Sequence, residues 1–171
     1  MSNFFHKNQG GFTLLEVAVS LVITSFIALG IAVSSAQVLT QTSKNSDYTT
    51  ASRNAMNAIY WIGRDGQMAQ SFAGADGFPA TSDLSMAWED WDSVSYNITY
   101  SIVEGKLYRT YTVDGESTVS LVAEYINDDS ELTNCSSDNG TLRLTVTSSV
   151  GGGTNIIDVT RVREITARPQ M

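Results

Sequence analysis

A single carboxylate, Glu16, is the residue whose position most needs a chemical explanation. It lies near the start of the stretch Lys7–Val33 (KNQGGFTLLEVAVSLVITSFIALGIAV), in which it is the only acid. A charged side chain inside an apolar, membrane-like segment is unfavourable by a few kcal/mol, and such residues usually mark function. Glu16 therefore indicates that this segment does more than anchor the chain.

A second group of acids lies in the polar stretch Asn127–Gly140. Carboxylate oxygens are the ligands that calcium takes in proteins, and the candidate ligands are Asp128, Asp129, Glu131 and Asp138. Their spacing fits no EF-hand loop, and an acidic loop is usually only solvated. The prediction is therefore no metal site and no cofactor, with a calcium loop as the alternative.

The composition of the chain argues against several other kinds of chemistry. Its 171 residues include 18 acids and 10 strong bases, for a formal net charge of −8, and an acidic surface repels the phosphates of nucleic acids. One cysteine, Cys135, can form no intramolecular disulfide; it stands in a polar loop as a free thiol or an intermolecular link. The single His6 leaves no histidine for a catalytic triad. We predict neither an enzyme nor a nucleic-acid contact.

The apolar segment is long enough to span a membrane. No residue is charged over the 27 positions from Val17 to Ser43, whereas a helix needs ~20 apolar residues to cross the bilayer core. A spanning helix is the default interpretation. A secretory signal peptide cut near Ser34–Gln37 (SSAQ) is one alternative. A plain signal anchor is another, but it leaves Glu16 unexplained.

The stretch Gly10–Ile23 (GGFTLLEVAVSLVI) resembles the N-terminal signature of type IV prepilins and of type II secretion pseudopilins. In that family a membrane peptidase cuts a short leader after its last glycine and methylates the new N-terminus, and a glutamate stands fifth in the mature chain. The resemblance implies that Gly11 ends a leader of residues 1–11, that Phe12 is the methylated N-terminus, and that Glu16 is the family's glutamate.

The same resemblance implies an assembly chemistry and a location. Glu16 would pair with the Phe12 ammonium of a neighbouring subunit, since a carboxylate in an apolar filament core is tolerated only when paired. Residues 12–38 would be the transmembrane, filament-core half of a helix, and 39–171 a domain outside the cytoplasmic (inner) membrane, filament-associated after assembly. The implied partners are other pilin or pseudopilin subunits, prepilin peptidase, an inner-membrane assembly platform and membrane lipid.

The helical pattern continues beyond the apolar segment. Small and apolar residues recur at steps of three and four at Ala51, Ala55, Ile59, Ile62, Gly66 and Ala69. This period predicts one long helix from about Thr13 to about Ala69, with its outer half amphipathic and packed under a sheet. Tyr60, Trp61 and Met68 are predicted to lie in the core rather than at an interface.

After a Gly- and Pro-bearing loop at 73–83 the period changes to two. Alternating segments with short turns between them predict antiparallel strands at Val94–Val103, Lys106–Val113, Thr118–Ile126, Thr141–Ser149 and Asn155–Arg168. The stretch MAWEDWDS, with Trp88 and Trp91, is interpreted as a loop. The predicted fold class is α+β, a long N-terminal helix packed on an antiparallel sheet, which is the pilin fold.

The soluble part resembles the J-class minor pseudopilins more loosely, at Asn54–Phe72, at Ser95–Thr112 with its LYR sequence, and at Arg163–Pro169. Many type IV pilins carry a C-terminal disulfide loop, which this chain cannot form. Both observations favour a minor structural subunit of a type IV filament system, either a type II secretion pseudopilus or a type IV pilus. The alternative is a single-pass, membrane-anchored extracytoplasmic binding protein that joins no filament.

Overall fold

The computed structural model describes residues 13–153 and 155–169 of the chain. Within these residues one helix, α1 (Leu14–Met68), precedes eight strands and a short 3₁₀ turn at Ala75–Gly77. The strands are β1 (Ser71–Ala73), β2 (Leu84–Glu89), β3 (Ser95–Val103), β4 (Lys106–Val113), β5 (Glu116–Ala123), β6 (Asn134–Asp138), β7 (Thr141–Val150) and β8 (Ile157–Thr166). The chain divides into two compact units, Met1–Ser43 and Lys44–Met171, which we describe separately.

In the first unit, α1 exposes its large hydrophobic side chains from Leu14 to Leu39. The hydroxyls of Ser20, Thr24 and Ser25 each donate to the carbonyl oxygen four residues earlier, at 2.7 Å. Lipid offers no hydrogen-bond partners, so this internal pairing suits a helix surrounded by hydrocarbon. By length and composition α1 is able to cross a membrane.

In the second unit, the strands form two antiparallel sheets. The first has five strands in the order β1-β2-β3-β4-β5, and the second has three in the order β6-β7-β8. Three of the hairpins close through turns whose two residues both have positive φ, Glu104–Gly105 after β3, Asp114–Gly115 after β4 and Asn139–Gly140 after β6. Such turns match the twist of paired strands and favour glycine at the second position.

The remainder of α1 packs on both sheets through a stripe of small and apolar residues, the face that the helical period predicted to be buried. Ala51, Ala55, Ile59, Ile62, Gly66 and Ala69 are all buried. Ile62 belongs to one hydrophobic cluster with Leu84 and Ile98 of the first sheet and with Leu142 and Leu144 of the second. The predicted α+β fold, with a long helix packed on antiparallel sheet, is confirmed.

The structure corrects several details of the strand prediction. There are two sheets rather than one, and β1, β2 and β6 were not predicted. Trp88 lies in β2 and stacks on Tyr96 of β3, with ring centroids 5.3 Å apart, whereas Trp91 does lie in the turn that follows. The acids around the two tryptophans gave this segment the composition of a loop. Leu84 and Met86 nevertheless alternate with more exposed residues, and both are buried in the core.

The predicted positions of Cys135 and of two helix residues were also wrong. Cys135 lies buried in β6, whose other residues are polar because most of this short outer strand faces solvent. On α1, Tyr60 and Met68 are exposed and Trp61 is half-buried, because the buried face of the helix is already filled by the small-residue stripe. These aromatic and methionine side chains are thus available at the surface of the second unit.

Candidate functional site

Glu16 lies in the first turn of α1 and folds back on the residue before the helix. The Thr13 amide and the Thr13 hydroxyl both donate to Oε2 of Glu16, at 2.9 and 3.0 Å, and the Glu16 amide donates to Oγ1 of Thr13 at 3.3 Å. This reciprocal pairing is a capping box, which satisfies amides that have no partner within the helix. Glu16 therefore has a role within its own chain that our sequence interpretation missed, although the Thr-x-x-Glu spacing signals it.

The geometry leaves the Glu16 carboxylate able to take a second partner. Both bonds from Thr13 go to Oε2, while a carboxylate accepts about four hydrogen bonds through its two oxygens. The side chain is exposed in the single chain. Gly11 and Phe12, the predicted cleavage and methylation residues, lie outside the described residues. Glu16 is therefore an exposed anion that caps the start of an apolar helix.

The acids of the candidate calcium loop make local hydrogen bonds. The side-chain oxygen of Asn127 accepts from the Asp129 amide, and that of Asp129 accepts from the Glu131 amide, both at 2.9 Å. Asp138 lies in β6, outside these turns. Across the described residues, the structure gathers no group of three or more acidic, histidine or cysteine side chains that could hold a metal. The local bonds account for Asp129 as a turn-forming residue.

The second unit contains a buried ion pair that sequence reasoning did not predict. Asp65, near the end of α1, is 1% exposed and receives Nε of Arg109 at 2.6 Å and a second guanidinium nitrogen at 3.2 Å. The Tyr100 hydroxyl also donates to the Asp65 carboxylate. A buried charge is tolerated when it is paired and hydrogen-bonded, as it is here. The pair links α1 to β3 and β4.

The protonation states of the partners agree with this arrangement. Burial, and next the charge of Asp65, raise the pKa of Tyr100 far above its usual range, so the phenol stays a donor. Burial by itself lowers the pKa of Arg109, but the hydrogen bond and charge of Asp65 outweigh it and the net pKa is raised. Near neutral pH Arg109 is therefore a cation and Tyr100 a neutral phenol that donates a hydrogen bond to the Asp65 carboxylate.

Aromatic rings surround the cation of this cluster. The Arg109 guanidinium lies 5.5 Å from the centre of the Trp61 ring and 5.1 Å from that of Tyr111. Arg64 lies over Trp61 as well, at 5.2 Å. Cation–π contacts of this kind hold the guanidinium in place and shield the ion pair from water. The cluster is thus a structural link between α1 and the first sheet.

The sequence contained a partial signal for this link. Asp65 lies three residues after Ile62 and so falls on the buried side of the helix, and Arg109 ends the LYR sequence on which the looser resemblance rests. Nothing in the local spacing joins the two, because 44 residues separate them. Only the packing of α1 on the first sheet brings them together.

The thiol of Cys135 is buried and hydrogen-bonded. Its Sγ donates to the carbonyl oxygen of Ala75 at 3.1 Å, and burial, with a smaller contribution from the charge of Asp76, raises its pKa from 9.0 to about 12. The thiolate is the reactive form. A buried, protonated Cys135 is not available as the intermolecular link that the sequence left open.

We expect the native thiol to be nearly unreactive. At pH 8 the raised pKa lowers the thiolate fraction about a thousandfold relative to an ordinary cysteine. An aromatic disulfide reagent should therefore release its coloured thiolate at once from the chain in denaturant and at least about a hundredfold more slowly from the native chain. Equal rates in the two conditions would contradict the burial of Cys135 in β6.

Comparison with known proteins adds a family signature at the N-terminus. The prokaryotic N-terminal methylation motif matches residues 6–32, which include Glu16 and the first turns of α1. The motif is characteristic of the prepilin signal of type IV pilins and pseudopilins, which are structural proteins. A search of the curated proteins finds no match, and a search of the solved structures finds none. The motif supports a type IV pilin-like substrate of prepilin peptidase.

Proposed function

We propose that this chain is a minor structural subunit of a type IV filament system, either a type II secretion pseudopilus or a type IV pilus. The observation that carries the proposal is the methylation motif at residues 6–32, which coincides with the start of an exposed apolar helix. A helix with unpartnered hydrophobic side chains needs lipid or other helices around it, and a filament subunit encounters both in turn. The lack of a cysteine pair supports a minor rather than a major pilus subunit.

In this proposal prepilin peptidase cuts between Gly11 and Phe12 and methylates the new N-terminus. Residues 12–38 hold the precursor in the cytoplasmic membrane, and residues 39–171 lie outside the cytoplasm. The assembly platform then moves the subunit from lipid into a filament of related subunits. The subunit itself catalyses no reaction, and a separate motor supplies the energy.

Assembly would use the hydrogen-bonding capacity that remains on the Glu16 carboxylate after Thr13 has bound Oε2. Within its own chain the carboxylate is bound by Thr13 through Oε2. In the filament it would also accept the ammonium of Phe12 from a neighbouring subunit, because an anion moved from the interface into an apolar core is stable only beside a cation. The position of that pair along the helix would set the axial register between subunits.

The N-terminal residue of the mature chain tests the processing step. When the chain is produced together with a prepilin peptidase, intact-mass measurement of the membrane fraction should show loss of residues 1–11 and gain of one methyl group. Gly11→Trp should remain uncut, because the peptidase site must accept a small residue there, while Gly10→Ala serves as a control that should still be cut.

The alternatives give different masses in the same experiment. A single-pass binding protein that joins no filament would keep its N-terminus, and a secreted protein cut near Ala36 would be soluble and start close to Gln37. Either result would refute the proposal. Deleting the chain and scoring protein secretion, twitching motility and DNA uptake would then separate the filament systems from one another.

A further inference from the structure

The turn between β2 and β3 presents an exposed tryptophan. Trp91 is 92% exposed, the largest fraction among the large hydrophobic residues that the structure describes. Backbone hydrogen bonds close the turn, since the Asp90 amide donates to the Val94 carbonyl and the Ser93 amide to the Asp90 carbonyl, both at 3.0 Å. The Asp90 carboxylate also accepts the Trp91 amide, at 2.8 Å. The indole is therefore carried by an ordered turn, and a partner that binds it has less chain to immobilise.

A second acidic turn lies at the same end of the first sheet. β2 pairs with β3 up to Glu89 and Ser95, and β3 pairs with β4 up to Tyr96 and Val113. The turn after β4 is therefore two strand spacings, about 10 Å, from the turn that carries Trp91. The two turns and the residues next to them contain five exposed acids, Glu89, Asp90, Asp92, Asp114 and Glu116. Partial burial raises the pKa of Tyr96, and the charges of the three aspartates raise it further, so these carboxylates lie close to one side chain.

The acids of the two turns are not neutralised within the described chain. None of the five forms an ion pair with another described residue. Two cations line the cavity next to Asp90, but each already has a partner. Arg109 is bound to Asp65, and Arg64 lies over the Trp61 ring. This end of the sheet thus combines an exposed aromatic ring with unpaired negative charge.

The chemistry of this surface favours a basic peptide segment as its occupant. Unpaired carboxylates attract cations, and tryptophan is the aromatic residue whose ring face binds a guanidinium best. The same chain shows such a contact where Arg109 lies over Trp61 and Tyr111. The described residues contain no group of three or more acidic, histidine or cysteine side chains that could hold a metal ion. Nucleic acids and anionic lipids carry the wrong charge, whereas spread acids beside a tryptophan fit an extended segment with several cations.

This surface lies at the end of the second unit where α1 stops. The amide of Glu124, beside the start of β4, donates to the side-chain oxygen of Asn54. Further along β4, Arg109 is bound to Asp65, near the end of the helix. The contacts along β4 thus move toward the end of α1, and the turn after β4 lies at that end. Because α1 enters the unit at Lys44, this placement suits a chain that a membrane holds through residues before Lys44.

We propose that this surface, formed by Trp91 and the five acids of the two turns, binds a basic segment of another protein. An arginine of the segment stacks on the Trp91 indole, and its other cations pair with the acids. Tryptophans at the centre of an interface commonly carry much of the binding energy, and the closed turn holds this ring in place before the partner arrives. The contact uses neither the apolar helix nor a filament, so it goes beyond the proposed function.

Binding of a basic peptide to the full chain in non-ionic detergent tests the proposal. A fluorescein-labelled peptide of Arg-Ser repeats should bind at about 0.15 M salt, as measured by fluorescence anisotropy, and a Glu-Ser peptide should not. Trp91→Ala should weaken binding about tenfold, because it removes the ring on which arginine stacks. Since Trp91 is 92% exposed, the variant should unfold at the same temperature as the unmodified chain.

Charge variants with a matched control show whether the position of the acids matters. Asp92→Asn combined with Asp114→Asn removes two charges and should weaken binding about fivefold. Asparagine followed by glycine suits the turn after β4, so this turn is kept. Asp128→Asn combined with Glu131→Gln removes two charges from an exposed loop that begins at the opposite end of β3. This control should change the affinity less than about twofold, because salt screens distant charges.

The indole signals of the tryptophans report where the peptide binds. The chain contains three, Trp61, Trp88 and Trp91. In nuclear magnetic resonance spectra of the isotope-labelled chain, the Trp91 signal, assigned by its loss in Trp91→Phe, should shift when the Arg-Ser peptide is added. The signal of Trp61 should not shift, because Arg64 and Arg109 already cover its ring.

Several results would each overturn the proposal. These are no binding of the Arg-Ser peptide, equal binding of the Glu-Ser peptide, an unchanged affinity in Trp91→Ala, an equal loss in the loop control, and a Trp91 signal that does not move. None of these measurements requires leader cleavage or filament assembly. Failure here would therefore leave the proposed filament function standing, and failure of assembly would leave this surface standing.

Discussion

Replacing Asp65 with alanine should lower the free energy of unfolding of the second unit by about 3 kcal/mol. The change leaves the Arg109 guanidinium without its anion and the Tyr100 hydroxyl without its acceptor, in an environment where Asp65 itself is 1% exposed. We place the effect at the lower end of the range for a broken buried pair because the Arg109 side chain keeps 16% of its surface in contact with water. Urea unfolding of the full chain in detergent, followed by circular dichroism, measures it.

A surface ion pair of the same chain provides the control for this experiment. Arg143 and Glu164 are 3.9 Å apart and about two-thirds exposed, so Glu164→Ala removes the same charge with an expected change of less than about 0.5 kcal/mol. Arg109→Ala should match Asp65→Ala, and the double variant should lose less than the sum of the two, since neither charge is then left alone. An Asp65→Ala effect as small as that of Glu164→Ala would mean that the pair does not hold α1 to the sheet.

Replacing Glu16 with glutamine should reduce incorporation into filaments about tenfold or more while leaving leader cleavage intact. The capping box makes this substitution informative. Glutamine at the third helical position can still bond back to the cap residue, so Glu16→Gln keeps the helix start but loses the charge that would bind the Phe12 ammonium. Immunoblots of sheared filaments measure incorporation, and intact mass measures cleavage.

Two further variants separate helix capping from ion pairing. Glu16→Ala removes both functions and should fail to assemble as Glu16→Gln does. Thr13→Ala removes the hydroxyl of the cap but keeps the charge, and should assemble nearly normally, because the loss of one cap costs only about 1 kcal/mol. Assembly of Glu16→Gln together with failure of Thr13→Ala would show that Glu16 acts by starting the helix, and the proposed subunit contact would be wrong.

Local patterns were sufficient for much of the fold. The helix was predicted within a residue or so of its observed ends, because its apolar run and small-residue stripe repeat at the helical period without a proline. β3 and β4 were predicted within one residue, since alternation and a glycine turn are both local signals. β6 was missed although Asn139–Gly140 marks a hairpin turn before β7, because an outer strand in contact with solvent has little alternation to detect.

The sequence by itself thus determined the methylation motif, the lone Glu16 in an apolar helix and the α+β order of elements, since each depends on residues close together in the chain. The partner of Asp65, the burial of Cys135 and the open edge at β5 were decided only by tertiary structure. Each of these depends on which distant residues become neighbours when α1 packs on the sheets. Arg109 reaches Asp65, and the turn at Ala75 covers Cys135. No strand within the described residues extends the sheet beyond β5. Contacts across such separations follow from the packing of the whole domain, and no spacing between nearby residues in the sequence predicts them.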